Sequence, residues 1–321
     1  SLVLIALVSN QATPHKYSNV GSNYMTKITL KNHKILKMKK VTFLICSLFI
    51  LTSCAVKLQS DMFFNKPYSK VRLLETEKHP TTNLNYKTDY ISVSDSIKIE
   101  IWEISTDNPE NLFLLFSPSE NSIANSSEIM EKIALKTNSM VVGIQYRGYN
   151  YSEGTPEFQT SYSDNLIIFD KYKTTFKDFT TVNLIGMSIG TVFIPKIVKN
   201  NESLIDNVFL LSAFSSPETM LKEMKRTNVP WIARPIIRLK PDKELLEINS
   251  VKDLENYKNG LAIFQAKDDK STGFGMAMEL YEKSQSKKKE LVSFEDGGHF
   301  APYSEKYIDK VVEKIKYFLE N

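Results

Sequence analysis

The sequence predicts an α/β domain: a mostly parallel sheet covered by helices on both faces. Two observations predict it. Short apolar, β-rich runs alternate with longer helical patterns, and several of the runs are apolar at consecutive positions, as strands buried on both faces must be. The runs are SIKIEIWEI (96–104), NLFLLFS (111–117), SMVVGIQY (139–146), TVNLIGM (181–187), NVFLLSA (207–213), GLAIFQA (260–266) and ELVSF (290–294). Helical patterns fall at 122–138, 160–178, 189–200, 217–226, 274–285 and 304–319. No repeat and no low-complexity tract interrupts them.

Before this domain the chain has a different character. Met38, Lys39 and Lys40 form a charged start, and VTFLICSLFIL (41–51) is an apolar run too short to span a bilayer. Residues 38–53 therefore read as an export signal. Its ending, LTSC, resembles the bacterial lipobox, and that resemblance implies cleavage before Cys54 and attachment of lipid to it. Residues 1–37 have no capping logic, no sustained period and no acid. They read as a mis-called extension of the reading frame, with the true start at Met38.

Charge follows the same division. Lys16, Lys27, Lys31, Lys34, Lys37, Lys39 and Lys40 precede Cys54 without a single acid, which leaves 34 of the 41 basic residues facing 37 acidic ones. The overall +4 thus belongs to the leading segment, and the domain itself offers no basic surplus to a nucleic acid. Both cysteines, Cys46 and Cys54, are consumed by the signal and the lipid site. An exported domain without thiols must be held by its core alone.

Residues 54–89 are mixed and polar and read as a tether plus an edge segment. The catalytic-type domain occupies 90–321. Within it, 215–259 breaks the strand–helix rhythm with Pro217, Pro230, Pro235 and Pro241 around WIARPIIRLK. This insertion reads either as a small cap over the site or as a long packed surface loop.

The central chemical signal is LIGMSIGT. Gly186, Met187, Ser188, Ile189 and Gly190 form G-x-S-x-G directly after a strand and before a helix. A strand turning sharply into a helix places Ser188 at the apex, and a Cβ at Gly186 or Gly190 would collide with neighbouring elements. The Ile189 amide, at the helix N-terminus, points toward a developing oxyanion. Such an arrangement defines the α/β-hydrolase fold.

A serine needs a base, and the base needs an acid. His15 and His33 lie before the signal and His79 lies in the tether, so the base is His299, in EDGGHFAP after the last strand. The acid should end a strand between the two, where Asp268 and Asp269 stand side by side. Over about residues 90–320 the chain resembles the membrane-associated α/β-hydrolase domain proteins that include protein depalmitoylases, and the related bacterial dienelactone-hydrolase-like esterases. There the strand runs into G-x-x-D, followed by a helix reading L-Y-E. Ala266 takes the glycine place here, and Leu280, Tyr281 and Glu282 follow, so the resemblance implies Asp269 as the acid and Asp268 as a solvated neighbour.

QYRGYNYSEGTPE (145–157) is similar to the same family's D-x-R-G-x-G-x-S-x-G-x-P loop, with Gln145 and Asn150 as departures. Arg147 and Gly148 are expected to brace the turn beneath the site. After the strand ending near 117 the family has His-Gly, where this chain has Ser117 and Pro118. The second oxyanion donor would then be the Ser119 amide.

Together these features imply a serine hydrolase that cleaves a carboxylic ester or thioester through an acyl-enzyme. The expected substrate is a small-molecule or lipid acyl ester. No metal and no organic cofactor are expected, and the location is the bacterial cell envelope, through the lipid anchor. Two other functions fit the same residues: a serine peptidase, and a binding protein that kept the pocket but lost catalysis at Ser117–Pro118.

Overall fold

A computed structural model describes residues 55–64, 70, 83–94, 96–119 and 126–321. The segment read as an export signal, with Cys54, His15, His33 and His79, lies outside the described residues. Ten strands are found among the described residues. They are β1 (Ala55–Leu58), β2 (Asn85–Ser92), β3 (Lys98–Ser105), β4 (Asn111–Phe116), β5 (Ser139–Ile144), β6 (Thr181–Met187), β7 (Asn207–Leu211), β8 (Arg238–Pro241), β9 (Gly260–Ala266) and β10 (Lys288–Phe294). Eight of them form one sheet in the order β10-β9-β7-β6-β4-β5-β3-β2, while β1 and β8 pair separately. Pairing is antiparallel for β2–β3 and β3–β5 and parallel elsewhere.

The parallel strands are joined through helices, as right-handed crossovers require. These are α1 (Ser127–Thr137), α2 (Phe158–Lys173), α3 (Gly190–Asn201), α4 (Pro217–Asn228), α5 (Lys243–Glu247), α6 (Ser250–Asp253), α7 (Phe274–Lys283) and α8 (Ile308–Glu320). The run expected as helix over 160–178 breaks after Lys173, and its tail forms a separate 3₁₀ turn at Phe176–Asp178. The last helix starts four residues later than its pattern suggests, behind the 3₁₀ segment Gly298–Tyr303 and its Pro302.

Strand alternation divides the core in two. Leu112, Leu114 and Phe116 of β4 pack with Ile168 and Phe169 of α2 and with Ile194 and Ile197 of α3. Phe113 and Leu115, pointing the other way, pack with Ile129 and Ile133 of α1 and with Val311 and Ile315 of α8. Consecutive residues of one strand thus bury on opposite faces, which explains why the runs read as uniformly apolar. Trp102, Phe113, Phe209 and Phe264 are fully buried, and each such side chain contributes about 2–3 kcal/mol of burial free energy.

Register then brings the chemistry to one edge. Phe116 lies opposite Gly186, Met187 opposite Leu211, Leu211 opposite Phe264, and Ala266 opposite Phe294. The carboxyl ends of β4, β6, β7, β9 and β10 therefore stand in line, and the loops leaving them gather at the end of the sheet where open α/β sheets bind their ligands. A third apolar cluster gathers there. It holds Tyr146, Tyr149, Ile189, Phe193, Phe214 and Met276 with Leu58 from β1 and Leu245 from α5.

Candidate active site

β6 ends at Met187 and α3 begins at Gly190, so Ser188 and Ile189 alone make the turn. Ser188 has φ +52°, in the left-handed region that costs a non-glycine residue about 1–3 kcal/mol. Hydrogen bonds hold it there: the Ser188 amide donates to Leu211 O (2.9 Å), and Ser188 O accepts from the Thr191 amide (2.9 Å) and hydroxyl (2.6 Å). Both flanking glycines are sterically required. A Cβ at Gly186 would lie 2.8 Å from Thr191 Cα, and one at Gly190 would lie 2.1 Å from Phe116 O. The first clash is with the helix and the second with the neighbouring strand.

His299 reaches the serine from the opposite loop. Gly297 (φ +102°) and Gly298 (φ +60°) bend the chain after β10, and the Ser212 hydroxyl donates to His299 O at 2.7 Å. Ser212, at the end of β7, is itself left-handed with φ +56°. His299 Nε2 lies 2.7 Å from Ser188 Oγ, and Nδ1 lies 2.9 Å from Asp269 Oδ2. With the proton on Nδ1 donated to the carboxylate, Nε2 is free to accept from the serine hydroxyl.

Asp269 is buried and heavily solvated by protein donors. Its Oδ1 accepts from the amides of Ser271 (2.7 Å) and Thr272 (3.0 Å). Its Oδ2 accepts from Gln265 Nε2 (2.7 Å) and Thr272 Oγ1 (2.8 Å) as well as from His299. Burial pushes this carboxyl up, but the His299 hydrogen bond and charge, with the Thr272 and Ser271 donors, outweigh it and hold the pKa below the ordinary carboxylate value. Asp268 is the exposed neighbour. It is nonetheless engaged, because its Oδ1 accepts from the Gly298 amide at 2.9 Å and so steadies the histidine turn.

The loop after β4 carries Ser117, Pro118 and Ser119, and Gly190 packs on its first carbonyl neighbour, Phe116. Two tyrosines hold this loop. Tyr146 donates to Ser117 O at 2.5 Å, and Tyr149 donates to Ser119 O at 2.9 Å. Both rings are buried, and Phe64 packs edge-on against each. The Ser117 hydroxyl, which stands where the resembling family has histidine, is buried and makes no hydrogen bond among the described residues. Ile189, the other expected amide donor, is buried beside these rings at the N-terminus of α3.

Arg147 does brace the turn. Its guanidinium grips Asp164 of α2 through two bonds, Nε–Oδ2 at 2.6 Å and Nη2–Oδ1 at 2.8 Å, both groups being buried. Asn150 stands at a family glycine position and keeps the glycine-like conformation, with φ +50°. Its side chain and the Tyr151 amide both donate to Glu100 Oε2, at 2.5 and 3.0 Å.

Sequence reasoning brought together Ser188, His299 and Asp269 but passed over Tyr146, Tyr149, Ser212, Gln265 and Thr272. For the last two a signal existed: polar side chains in a strand of apolar residues and beside the acid. The tyrosines gave none, since their partners lie 29 and 30 residues away along the chain.

The fold and this geometry together define an α/β-hydrolase fold. Solved structures agree. An esterase of Pyrococcus furiosus superposes with TM-score 0.60 at 16% identity, covering 80% of this chain and 96% of its own. Est1E of Butyrivibrio proteoclasticus, with ferulic acid bound, gives 0.57 at 14% identity over 72% of this chain and 98% of its own. Mouse alpha/beta hydrolase domain-containing protein 10 gives 0.57 at 11% identity over 73% and 98%. In sequence, the alpha/beta hydrolase domain-containing protein WAV2 of Arabidopsis thaliana is 28% identical over 138 residues, 42% of this chain and 44% of its own length. An uncharacterized membrane protein of Saccharomyces cerevisiae is 26% identical over 132 residues, 41% and 46%. The chain thus matches under half the length of these curated relatives, and no family model matches it.

Proposed function

We propose that this protein is a serine hydrolase of carboxylic esters or thioesters, with Ser188 as nucleophile, His299 as base and Asp269 as orienting acid. The observation that carries the reading is the unbroken relay from Ser188 Oγ to His299 Nε2 (2.7 Å) and from Nδ1 to Asp269 Oδ2 (2.9 Å). His299 takes the serine proton as Oγ adds to the acyl carbon. The Ile189 and Ser119 amides stabilise the oxyanion, and His299 then returns the proton to the leaving alkoxide or thiolate. Water, deprotonated by the same imidazole, cleaves the acyl-enzyme and regenerates Ser188. Ile189, next to the nucleophile, is buried in one apolar cluster with Tyr146, Tyr149 and Phe214, which keeps that side of the turn dry.

The esterase names among the structural neighbours lend the ester reading support, and ferulic acid bound to Est1E shows that the fold accommodates a carboxylic acid. The same proposal places the protein on a bacterial membrane through lipid on Cys54, with the domain outside the cytoplasm. A fluorophosphonate probe tests the chemistry, because only an activated serine is labelled. Labelling that depends on Ser188, followed by turnover of p-nitrophenyl esters of graded chain length, is the expected result. An intact, folded chain that resists the probe would instead favour the binding-protein function.

A further inference from the structure

The segment 229–241, within the insertion after β7, presents an unusual surface. Trp231 is 76% exposed and Ile232 69% exposed, on a turn that is otherwise well held. Arg234 pins the turn from within, donating to Val229 O (3.0 Å) and Arg226 O (2.7 Å), and the Ala233 amide donates to Pro230 O. The two apolar side chains are therefore displayed by a braced loop rather than by a loose end. From Val229 to Pro241 the sequence has three cations, Arg234, Arg238 and Lys240, and no acid.

The segment ends in β8, which among the described residues pairs with β1 alone. Ala55 lies opposite Arg238 and Lys57 opposite Lys240. Leu58 and Leu239 turn into the apolar cluster beside the active site. Alternation then sends Ala55, Lys57, Arg238 and Lys240 outward, and all four are exposed. None of the three cations forms an ion pair among the described residues. The neighbouring acids are otherwise committed: Asp242 caps α5 through the Leu245 amide, Glu244 bonds Ser60, and Glu247 pairs with Lys243.

We propose that Trp231 and Ile232, together with Lys57, Arg238 and Lys240, dock on an anionic lipid surface. The position of the chain's entry names the occupant. Cys54 immediately precedes Ala55, so lipid on Cys54 would sit one residue from the exposed cationic pair of strands. An aromatic ring with adjacent basic side chains is the combination that settles at the headgroup boundary. Held at Cys54 and at the Trp231 turn, the insertion lies flat against the membrane. The inference rests on the Cys54 anchor proposed above, and the test separates the two.

The chain contains two tryptophans, and Trp102 is fully buried, so changes in exposed tryptophan emission report Trp231. The full chain, made in a bacterium and reconstituted into phosphatidylcholine vesicles with or without phosphatidylglycerol, is read by emission wavelength and by quenching from brominated lipid. The expected result is a blue shift, strong quenching by the brominated lipid and loss of acrylamide access, all removed by Trp231→Phe. Triple replacement of Lys57, Arg238 and Lys240 by Glu should abolish the preference for phosphatidylglycerol. Lipid label on Cys54 with a Trp231 that stays open to acrylamide would overturn the docking and leave the anchor standing. If Cys54 carries no lipid, the anchor fails, and the same chain titrated with anionic vesicles decides the docking alone: quenching supports it and none overturns it. Burial of Trp231 by self-association without lipid would assign the face to a second copy and likewise overturn the proposal.

Discussion

Tyr149 donates its hydroxyl to the carbonyl of Ser119 at 2.9 Å, and Tyr146, three residues earlier, donates to the carbonyl of Ser117 at 2.5 Å. The two bonds grip the loop on either side of Pro118. A proline there presets φ near −65°, and with both flanking carbonyls tied, the Ser119 amide has little freedom left. Removing one tyrosine hydroxyl should therefore misaim an oxyanion donor without emptying the core. Tyr149→Phe is expected to lower kcat about tenfold with KM little changed, at a stability cost of about 1 kcal/mol. Pro118→Gly should also lower turnover. A double change of Ser117→His with Pro118→Gly that raised turnover instead would mean the loop is a damaged site.

Ser188, His299 and Asp269 are expected to fail as a unit. Replacing Ser188 or His299 by Ala should reduce kcat by about 10⁴-fold or more, and combining the two should cost little beyond either alone. Steady-state kinetics on a p-nitrophenyl ester, with circular dichroism to confirm folding, measure this. Asp268→Ala is expected to be far milder, since it removes only the acceptor for the Gly298 amide. An Asp268 variant as impaired as the Asp269 variant would mean the histidine turn, rather than its carboxylate partner, limits the reaction.

The packing around the elbow leaves no room for a methyl group. Gly190→Ala brings a Cβ within 2.1 Å of the Phe116 carbonyl oxygen, and neither backbone can give way without moving β4 against α3. A loss of about 1–3 kcal/mol is expected from urea unfolding, with activity falling further because the Ser188 turn shifts.

Glu279 carries a pH dependence that can be read separately from the site. Its carboxylate accepts from the hydroxyls of Ser215 (2.7 Å) and Ser216 (2.8 Å) and from Lys283 (3.0 Å), tying α7 to the start of α4. Burial opposes ionisation, but these donors outweigh it and hold the pKa down at about 2, from 4.5. A depressed carboxylate contributes stability that is complete above its unfolded pKa and lost as pH falls through the folded one. Stability should therefore decline between about pH 4.5 and about 2, and Glu279→Gln should flatten that part of the profile. Asp269 adds to the same acid slope, since its pKa is also held down. Denaturant unfolding across this range checks both.

The fold was largely legible because its strands are buried on both faces and the turn at Ser188 needs two glycines around one serine. Leu112 through Phe116 can be read as a central strand without knowing a single partner. The histidine was legible by position, because GGH after the last strand has one structural use in such a fold. The edge strand Asn85–Ser92 was foreseen only as an edge segment within 54–89, without bounds, since a half-exposed strand of polar residues has no apolar period to show. The pairing of β1 with β8 was hidden: four residues each, with pairing partners 183 positions apart, leave no local trace.

What the sequence by itself determined is local geometry that depends on neighbours along the chain: the serine elbow, the glycine-bent histidine turn and the adjacent acids. Backbone sterics act over a few residues, and those residues are all present in the motif. The family resemblance pointed to Asp269 rather than Asp268, but the contacts that separate the two carboxylates are tertiary. Only in the folded chain does one carboxylate meet His299, Gln265 and Thr272 in a buried pocket while the other turns outward to the Gly298 amide. The support of the Ser117–Ser119 loop by Tyr146 and Tyr149 was decided in the same way. Hydrogen bonds between side chains and distant carbonyls depend on which strand ends the sheet order makes neighbours, and that order is set by packing of the whole core.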